Sequence, residues 1–366
     1  MMSKSYNHER DIKNTQLLQN IQRSLPSYMR GFFLYLTATR NLSTLTALGY
    51  ARDLEVFCYF MTQTNPAVSS PESLTTDILD SLNMQDISEY LAFLKVYTRD
   101  GVQYSNEETG RARKLSALKS FWKWALGAGV LRNNPTALIP SPKSHKKEIV
   151  YLEKDEAQTV LHGAITGDSL TEGQRKASQN LALRDVAIIA LLLGTGIRVS
   201  ECVGIDMSNI DFKTDSVLII RKGGNEERKY FNQAVKGHIL DYIQNERIKP
   251  KDKADPLFVS REGTRLSVRS VERLIRKYSV SAVPGKKITP HRLRATYGTQ
   301  LYRASRDIRL TADAMGHRNM NTTCLYVNTG DESEQQAVQI TEKILTENSE
   351  KAEHSENQNI QNIQTI

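Results

Sequence analysis

The sequence is sparing with cysteine and has no long apolar run. Its three cysteines, Cys58, Cys202 and Cys324, show neither a CxxC spacing nor a Cys/His cluster. A disulfide framework and a zinc site are therefore not expected. No stretch approaches the ~20 apolar residues that a membrane-spanning helix needs. The opening residues, MMSKSYNHERDIKNTQ, lack the apolar core of an export signal. These absences predict a cytoplasmic chain with no membrane contact. A Gly-rich phosphate-cradling loop is also missing, and no carboxylate cluster accompanies the basic segments of the second half, so neither a nucleotide cofactor nor a metal is expected.

What is present is positive charge, unevenly spread. Lys and Arg number 49 against 41 Asp and Glu, a net charge of +8 over 366 residues. Residues 331–366 hold eight acids and two lysines, net −6, which leaves +14 on the rest. Such a surplus suits a phosphate polymer, although many basic proteins share it.

The length predicts two domains. Within residues 27–138 apolar side chains recur at helical spacing: Tyr50, Leu54, Phe57 and Met61, then Ile87, Tyr90, Leu91 and Leu94, then Leu115, Leu118, Trp122 and Ala125. An all-α domain uninterrupted by strands is predicted, with Ser43 as a helix cap and GAG at 127–129 as a stop. Residues 1–26 read as an N-terminal extension. On the last helix Arg111, Arg113, Lys114, Lys119 and Lys123 form a basic face suited to a DNA backbone; taken singly, each is explained equally well as a solvated surface residue. Trp122 is expected in the core and Trp124 at its flank. IPSPKSHKK breaks regular structure and places a linker at 139–150, where Lys143 is a candidate DNA contact, although a solvated connector explains this stretch almost as well.

From residue 151 to 346 the pattern turns to a mainly helical α+β domain with a small β-sheet. Asp185 to Leu193 is a buried apolar helix, and Val217 to Ile220 with Arg228 to Phe231 make a hairpin around Gly-Gly. Asp331 to Leu345 carries an apolar stripe of Ala337, Ile340 and Ile344. Residues 347–366 are polar and acidic, and disorder is expected there.

Four segments of this domain gather groups suited to one reaction: GTGIRVSE with Arg198, RKGGNEER with Lys222, TPHRLRATYG with His291 and Arg294, and MGHRNMNTTCLYV with His317 and Tyr326. Thr289 can cap a helix with Pro290 in its first turn, which puts His291 and Arg294 on one face. Gly316 can end the next helix, leaving His317 in a turn, and Asn321 can start a short helix bearing Tyr326. Attack on a phosphodiester needs forked donors for its oxygens, a nucleophile, a base and an acid, and this set holds all of them. Alone, Arg198 reads as an ion-pair partner, His291 as a helix-start histidine and Tyr326 as one of 15 tyrosines. Taken jointly, the pattern reverses those readings. His145, His238 and His354 have no such companions.

The four segments, in this order, resemble the tyrosine recombinase (phage integrase) family and, within it, the Xer-type site-specific recombinases. The likeness includes ARDLEVF and RKLSALKSFWKWA in the first domain. It implies a SAM-like core-binding domain followed by the integrase catalytic fold. It also implies that Tyr326 attacks the scissile phosphate to give a 3′-phosphotyrosyl link and a free 5′-hydroxyl, while Arg198 and Arg294 clamp the nonbridging oxygens. His317 would add a donor, Lys222 would protonate the leaving 5′-oxygen, and His291 would assist Tyr326 or orient the phosphate, with Glu201 standing behind Arg198. The run Lys222-Gly223-Gly224-Asn225 has one glycine more than the family's, and Lys229 is a second candidate for the acid.

Implied partners are double-stranded DNA with a specific site, three further copies in a homotetramer on two such sites, and a DNA translocase or DNA-bending accessory protein. No cofactor is implied. The stripe at Asp331 to Leu345 would dock on a neighbouring protomer. The resemblance covers chromosome or plasmid dimer resolution and also integration or excision of a mobile element. Topoisomerase-like nicking uses the same chemistry on one duplex, and a noncatalytic architectural DNA-binding protein would show the basic body alone.

Overall fold

Side chains at helical spacing close the first unit, Met1–Lys147, around an aromatic core. The computed structural model describes residues 5–140, 150–221, 224–251, 254–316 and 323. In order the unit contains α1 (Ser5–Arg23), α2 (Arg30–Leu34), α3 (Thr44–Thr64), α4 (Thr76–Ser81), α5 (Met84–Phe93), β1 (Val96–Arg99), β2 (Val102–Ser105) and α6 (Glu108–Gly127). Ser43 caps α3, its Oγ accepting the Thr46 N–H at 3.3 Å. Gly129, at φ +69°, follows the end of α6. Phe57 meets Tyr90 and Trp122 edge-on, with centroids 5.2 and 5.4 Å away. Trp124 is half-buried beside Phe32.

Three features depart from expectation. The N-terminal extension is a helix, α1, seated on α3, and Leu18 and Leu25 are buried with the core. Ile139, assigned to the linker, is also buried there. Between α5 and α6 the chain forms a two-stranded hairpin rather than continuing as helix. Arg99 pairs with Val102 across Asp100-Gly101, both at positive φ (52° and 74°), which is the two-residue turn that suits strand twist.

The second unit, Glu148–Ile366, has its described helices gathered round the buried helix Ala182–Thr195. It runs α7 (Lys154–Thr166), α8 (Glu172–Ser178), α9 (Ala182–Thr195), α10 (Val199–Val203), β3 (Ile210–Asp211), β4 (Ser216–Ile220), β5 (Glu226–Tyr230), α11 (Gln233–Asn245), α12 (Val268–Ala282), α13 (Pro290–Ser305) and α14 (Ile308–Met315). Residues 186–192 of α9 are apolar without a break, so every face must be covered, and α7, α11, α12 and α13 all contact it. Its buried carboxylate, Asp185, accepts from Arg184 Nη2 (2.8 Å), Lys277 Nζ (2.7 Å) and Tyr278 Oη (3.1 Å), which offsets its desolvation. The start of the domain is stitched to α13: Leu152 N–H donates to Thr296 Oγ1 at 2.8 Å, and Arg303 Nη1 to Glu153 Oε2 at 2.7 Å.

Strands β3, β4 and β5 form an antiparallel sheet in that order, with Ile220 opposite Glu226, so β5 starts two residues before the expected Arg228. The Arg221 N–H donates to the Asn225 carbonyl at 2.8 Å and the Gly224 N–H to the Arg221 carbonyl at 3.1 Å. Gly224 lies at φ +79°, so the second glycine of the pair occupies a left-handed position that closes the hairpin.

Candidate active site

The site begins where α9 stops. Gly196 ends that helix at φ +61°, and a Cβ there would lie 2.2 Å from Tyr297 Cδ1, so only glycine lets α13 pack against this turn. Two residues on, Arg198 caps α10. Glu201 holds it at both ends, its Oε2 accepting the Arg198 N–H at 2.7 Å and its Oε1 the Nη1 at 2.8 Å. Glu201 is buried, whereas 45% of the Arg198 side chain is exposed, so the guanidinium is oriented from behind and faces solvent.

Arg294 occupies the opposite kind of place. It is only 4% exposed, and it donates Nη1 to the Gly196 carbonyl at 2.5 Å and Nη2 to the Met315 carbonyl at 2.6 Å. One side chain thus ties the turn before Arg198 to the end of α14. Thr289 and Pro290 open α13 as expected, although the Thr289 side chain makes no capping bond. His291 follows, one turn before Arg294, and is exposed. Burial, and after it the charges of Arg292, Arg294 and Arg198, hold its pKa below the ordinary histidine value. Both expected clamp arginines therefore lie within electrostatic reach of His291, and both disfavour its protonated form.

The sheet approaches the same place from another side. Arg221, just past β4, donates Nη1 to the Gly316 carbonyl at 2.6 Å and Nη2 to that of Met315 at 3.3 Å. Its Nε lies 2.5 Å from Glu227 Oε2, close as an ion pair though not aligned as a hydrogen bond. Lys229 of β5 donates Nζ to the Ala314 carbonyl at 2.5 Å and pairs with the same Glu227. Burial lowers its pKa. Lys229, the second candidate for the acid, is buried, with its ammonium engaged by a carbonyl and a carboxylate.

Of the residues expected to act, Arg198, Glu201, His291 and Arg294 are brought together. Lys222, His317, Tyr326, Lys143 and the stripe at 331–345 lie outside the described residues. In the first unit the basic face is thinner than expected. Lys114 is buried and donates to Asn106 Oδ1 at 2.8 Å, because its position on α6 turns inward beside Leu115 and Leu118. Lys119 donates to the Ile139 carbonyl at 2.5 Å, and exposed Arg113 is paired with buried Asp53. Arg111 is half-buried, and Lys123 is exposed. Sequence reasoning missed Arg221 and Glu227. The available signal was the period-2 placement of Glu227 and Lys229 on one face of β5.

Comparison with known proteins matches both units. The phage integrase family model covers residues 150–333, and that of the phage integrase N-terminal SAM-like domain covers 29–129. The tyrosine recombinase XerC of Caldanaerobacter subterraneus subsp. tengcongensis is 31% identical over 341 residues, spanning 89% of this chain and 90% of its own. This chain belongs to the tyrosine recombinase (phage integrase) family. Another Xer-type relative, XerC of Listeria monocytogenes serovar 1/2a, is 31% identical over 304 residues, spanning 81% and 91%. Among solved structures, the fold of this recombinase is similar to that of XerH bound to palindromic difH substrate, a post-cleavage complex (TM-score 0.64, 18% identity, 83% of this chain and 82% of that one). It is also similar to the Tn1549 transposon integrase in complex with circular intermediate DNA (TM-score 0.58, 24% identity, 81% and 94%). The family's chemistry is DNA strand exchange.

Proposed function

We propose that this recombinase cuts and rejoins double-stranded DNA at a specific site, with Tyr326 as the nucleophile. The observation that carries this is His291 set within electrostatic reach of Arg198 and Arg294, on a frame that joins the α9–α10 turn, α13 and the end of α14. The Tyr326 phenolic oxygen bonds to phosphorus while the bond to the 5′-oxygen breaks. His291 accepts the phenolic proton, and Lys222 gives a proton to the departing oxygen. Arg198 meets the nonbridging oxygens from the exposed side and Arg294 from the buried floor, with His317 as a further donor. The phosphotyrosyl link keeps the energy of the phosphodiester, so the reverse step reseals the strand with a free 5′-hydroxyl and needs neither ATP nor a metal.

Four copies on two duplexes would pass through a Holliday junction, in the cytoplasm, resolving chromosome or plasmid dimers with a translocase or DNA-bending partner. The test is to denature a mixture of the recombinase and fragmented genomic DNA, recover covalently attached DNA, and rebuild its site in two labelled duplexes. Strand exchange between duplexes is expected, and nicking and resealing within one duplex alone would contradict it. A single chromosomal site near the replication terminus supports dimer resolution; recovery of element ends would instead assign integration. Tight binding with no covalent product would leave an architectural protein.

A further inference from the structure

The last carbonyls of a helix have no partners within it and carry the negative end of its dipole. At α14 three successive ones, Ala314, Met315 and Gly316, are met by cations from other elements: Lys229, then Arg294 with Arg221, then Arg221 again. Two of the three cations come from the β4–β5 hairpin, and one carboxylate, Glu227, holds both of them. The fit is close. Gly316 sits at φ +61°, and a Cβ there would lie 1.7 Å from Arg221 Nη1, so the guanidinium fills the space a side chain would take.

The chain positions on either side of this contact give it meaning. Arg221 directly precedes Lys222, and Gly316 directly precedes His317. We propose that Arg221, gripped by Glu227, is a positioning residue for strand cleavage, locking the hairpin that carries Lys222 to the helix end that leads into His317. Neither Arg221 nor Glu227 acts on the phosphate in this scheme. They set the spacing between two groups that must reach the same phosphate from different parts of the fold. The inference rests on the recombinase reading above.

The test uses the full chain with Arg221→Ala, Arg221→Lys and Glu227→Gln, on a nicked duplex that the wild type cleaves. In Arg221→Ala, cleavage at saturating DNA should fall by roughly 10²-fold, the scale of a small misplacement of reacting groups. The DNA concentration giving half the maximal rate should stay the same. Millimolar guanidinium ion, which can fill the vacated space between Glu227 and the two carbonyls, should restore much of the rate in Arg221→Ala and change nothing in the wild type. Arg221→Lys and Glu227→Gln should fall between, since an ammonium cannot fork across two carbonyls and an amide holds the guanidinium weakly. Without DNA, amide hydrogen exchange of residues 312–316 should quicken in all three variants. A wild-type cleavage rate in Arg221→Ala, or a loss that guanidinium does not restore, would overturn the proposal. If the wild type forms no covalent adduct on any duplex, the recombinase reading fails on its own account. Unchanged exchange at 312–316 would then still dismiss the lock.

Discussion

In the first unit Phe57, Tyr90 and Trp122 interlock inside an apolar core, whereas in the second the candidate site is framed by Arg294, Arg221 and Lys229 holding main-chain carbonyls. The first kind of cohesion is non-directional and depends on filled volume. The second depends on where each donor points, so a change that preserves size and charge can still destroy it. Trp122→Ala should break the first unit, destabilising it by about 3–5 kcal/mol in denaturant unfolding, because a fully buried indole is removed. Trp122→Phe should lose much less. A loss under about 1 kcal/mol for the alanine would mean that volume does not hold this core.

The matching change in the second unit is Arg294→Lys, which retains charge and removes the fork. Single-turnover cleavage should slow by roughly 10² to 10³, with duplex binding much less affected. The melting temperature of the second unit should also drop, because an ammonium cannot serve the Gly196 and Met315 carbonyls together. Arg198→Lys should slow cleavage comparably yet leave melting nearly unchanged, since among the described residues its exposed guanidinium is paired only with Glu201, three residues along the chain. Equal effects on melting would erase this distinction between the two arginines.

The pH dependence sharpens the contrast further. Because burial and neighbouring arginines depress the His291 pKa, its neutral form persists to lower pH than in a free histidine. Cleavage should hold steady down to that value and then fall about tenfold per pH unit as the ring protonates. His291→Gln should be slower and lack this acid limb; an unchanged limb would move the titration to another group. The smallest effect is expected in the first unit at Tyr90, whose buried hydroxyl has no hydrogen-bond partner among the described residues. Tyr90→Phe should alter stability by no more than about 1 kcal/mol, because only an unpaired polar atom is lost.

The same contrast explains what could be read in advance. Apolar spacing located α3, α5 and α6, and the unbroken apolar run located α9, since burial leaves a periodic or continuous trace. The Asp100-Gly101 hairpin left a trace too, in its turn residues, which helical spacing on either side outweighed. Arg198, His291 and Arg294 could be grouped in advance because phosphate chemistry restricts residue types, and the fold does bring them near one another. Their frame was not. Arg221 meets carbonyls 94 and 95 residues away, and carbonyls are the same at every position of a sequence. Lys114 was misplaced for a related reason: a lysine in a basic run reads as solvated until a specific acceptor, here Asn106, takes it inward.

Covalent catalysis by Tyr326, as proposed above, can be caught by trapping the phosphotyrosyl link. A suicide duplex, nicked near its recombination site so that the cleaved strand loses the 5′-hydroxyl fragment needed for resealing, is incubated with wild type and with Tyr326→Phe and resolved on a denaturing gel. The wild type should accumulate a protein–DNA adduct, and Tyr326→Phe should bind the duplex equally well while forming none, since only the attacking oxygen is removed. An adduct formed by Tyr326→Phe at the wild-type yield would contradict the account.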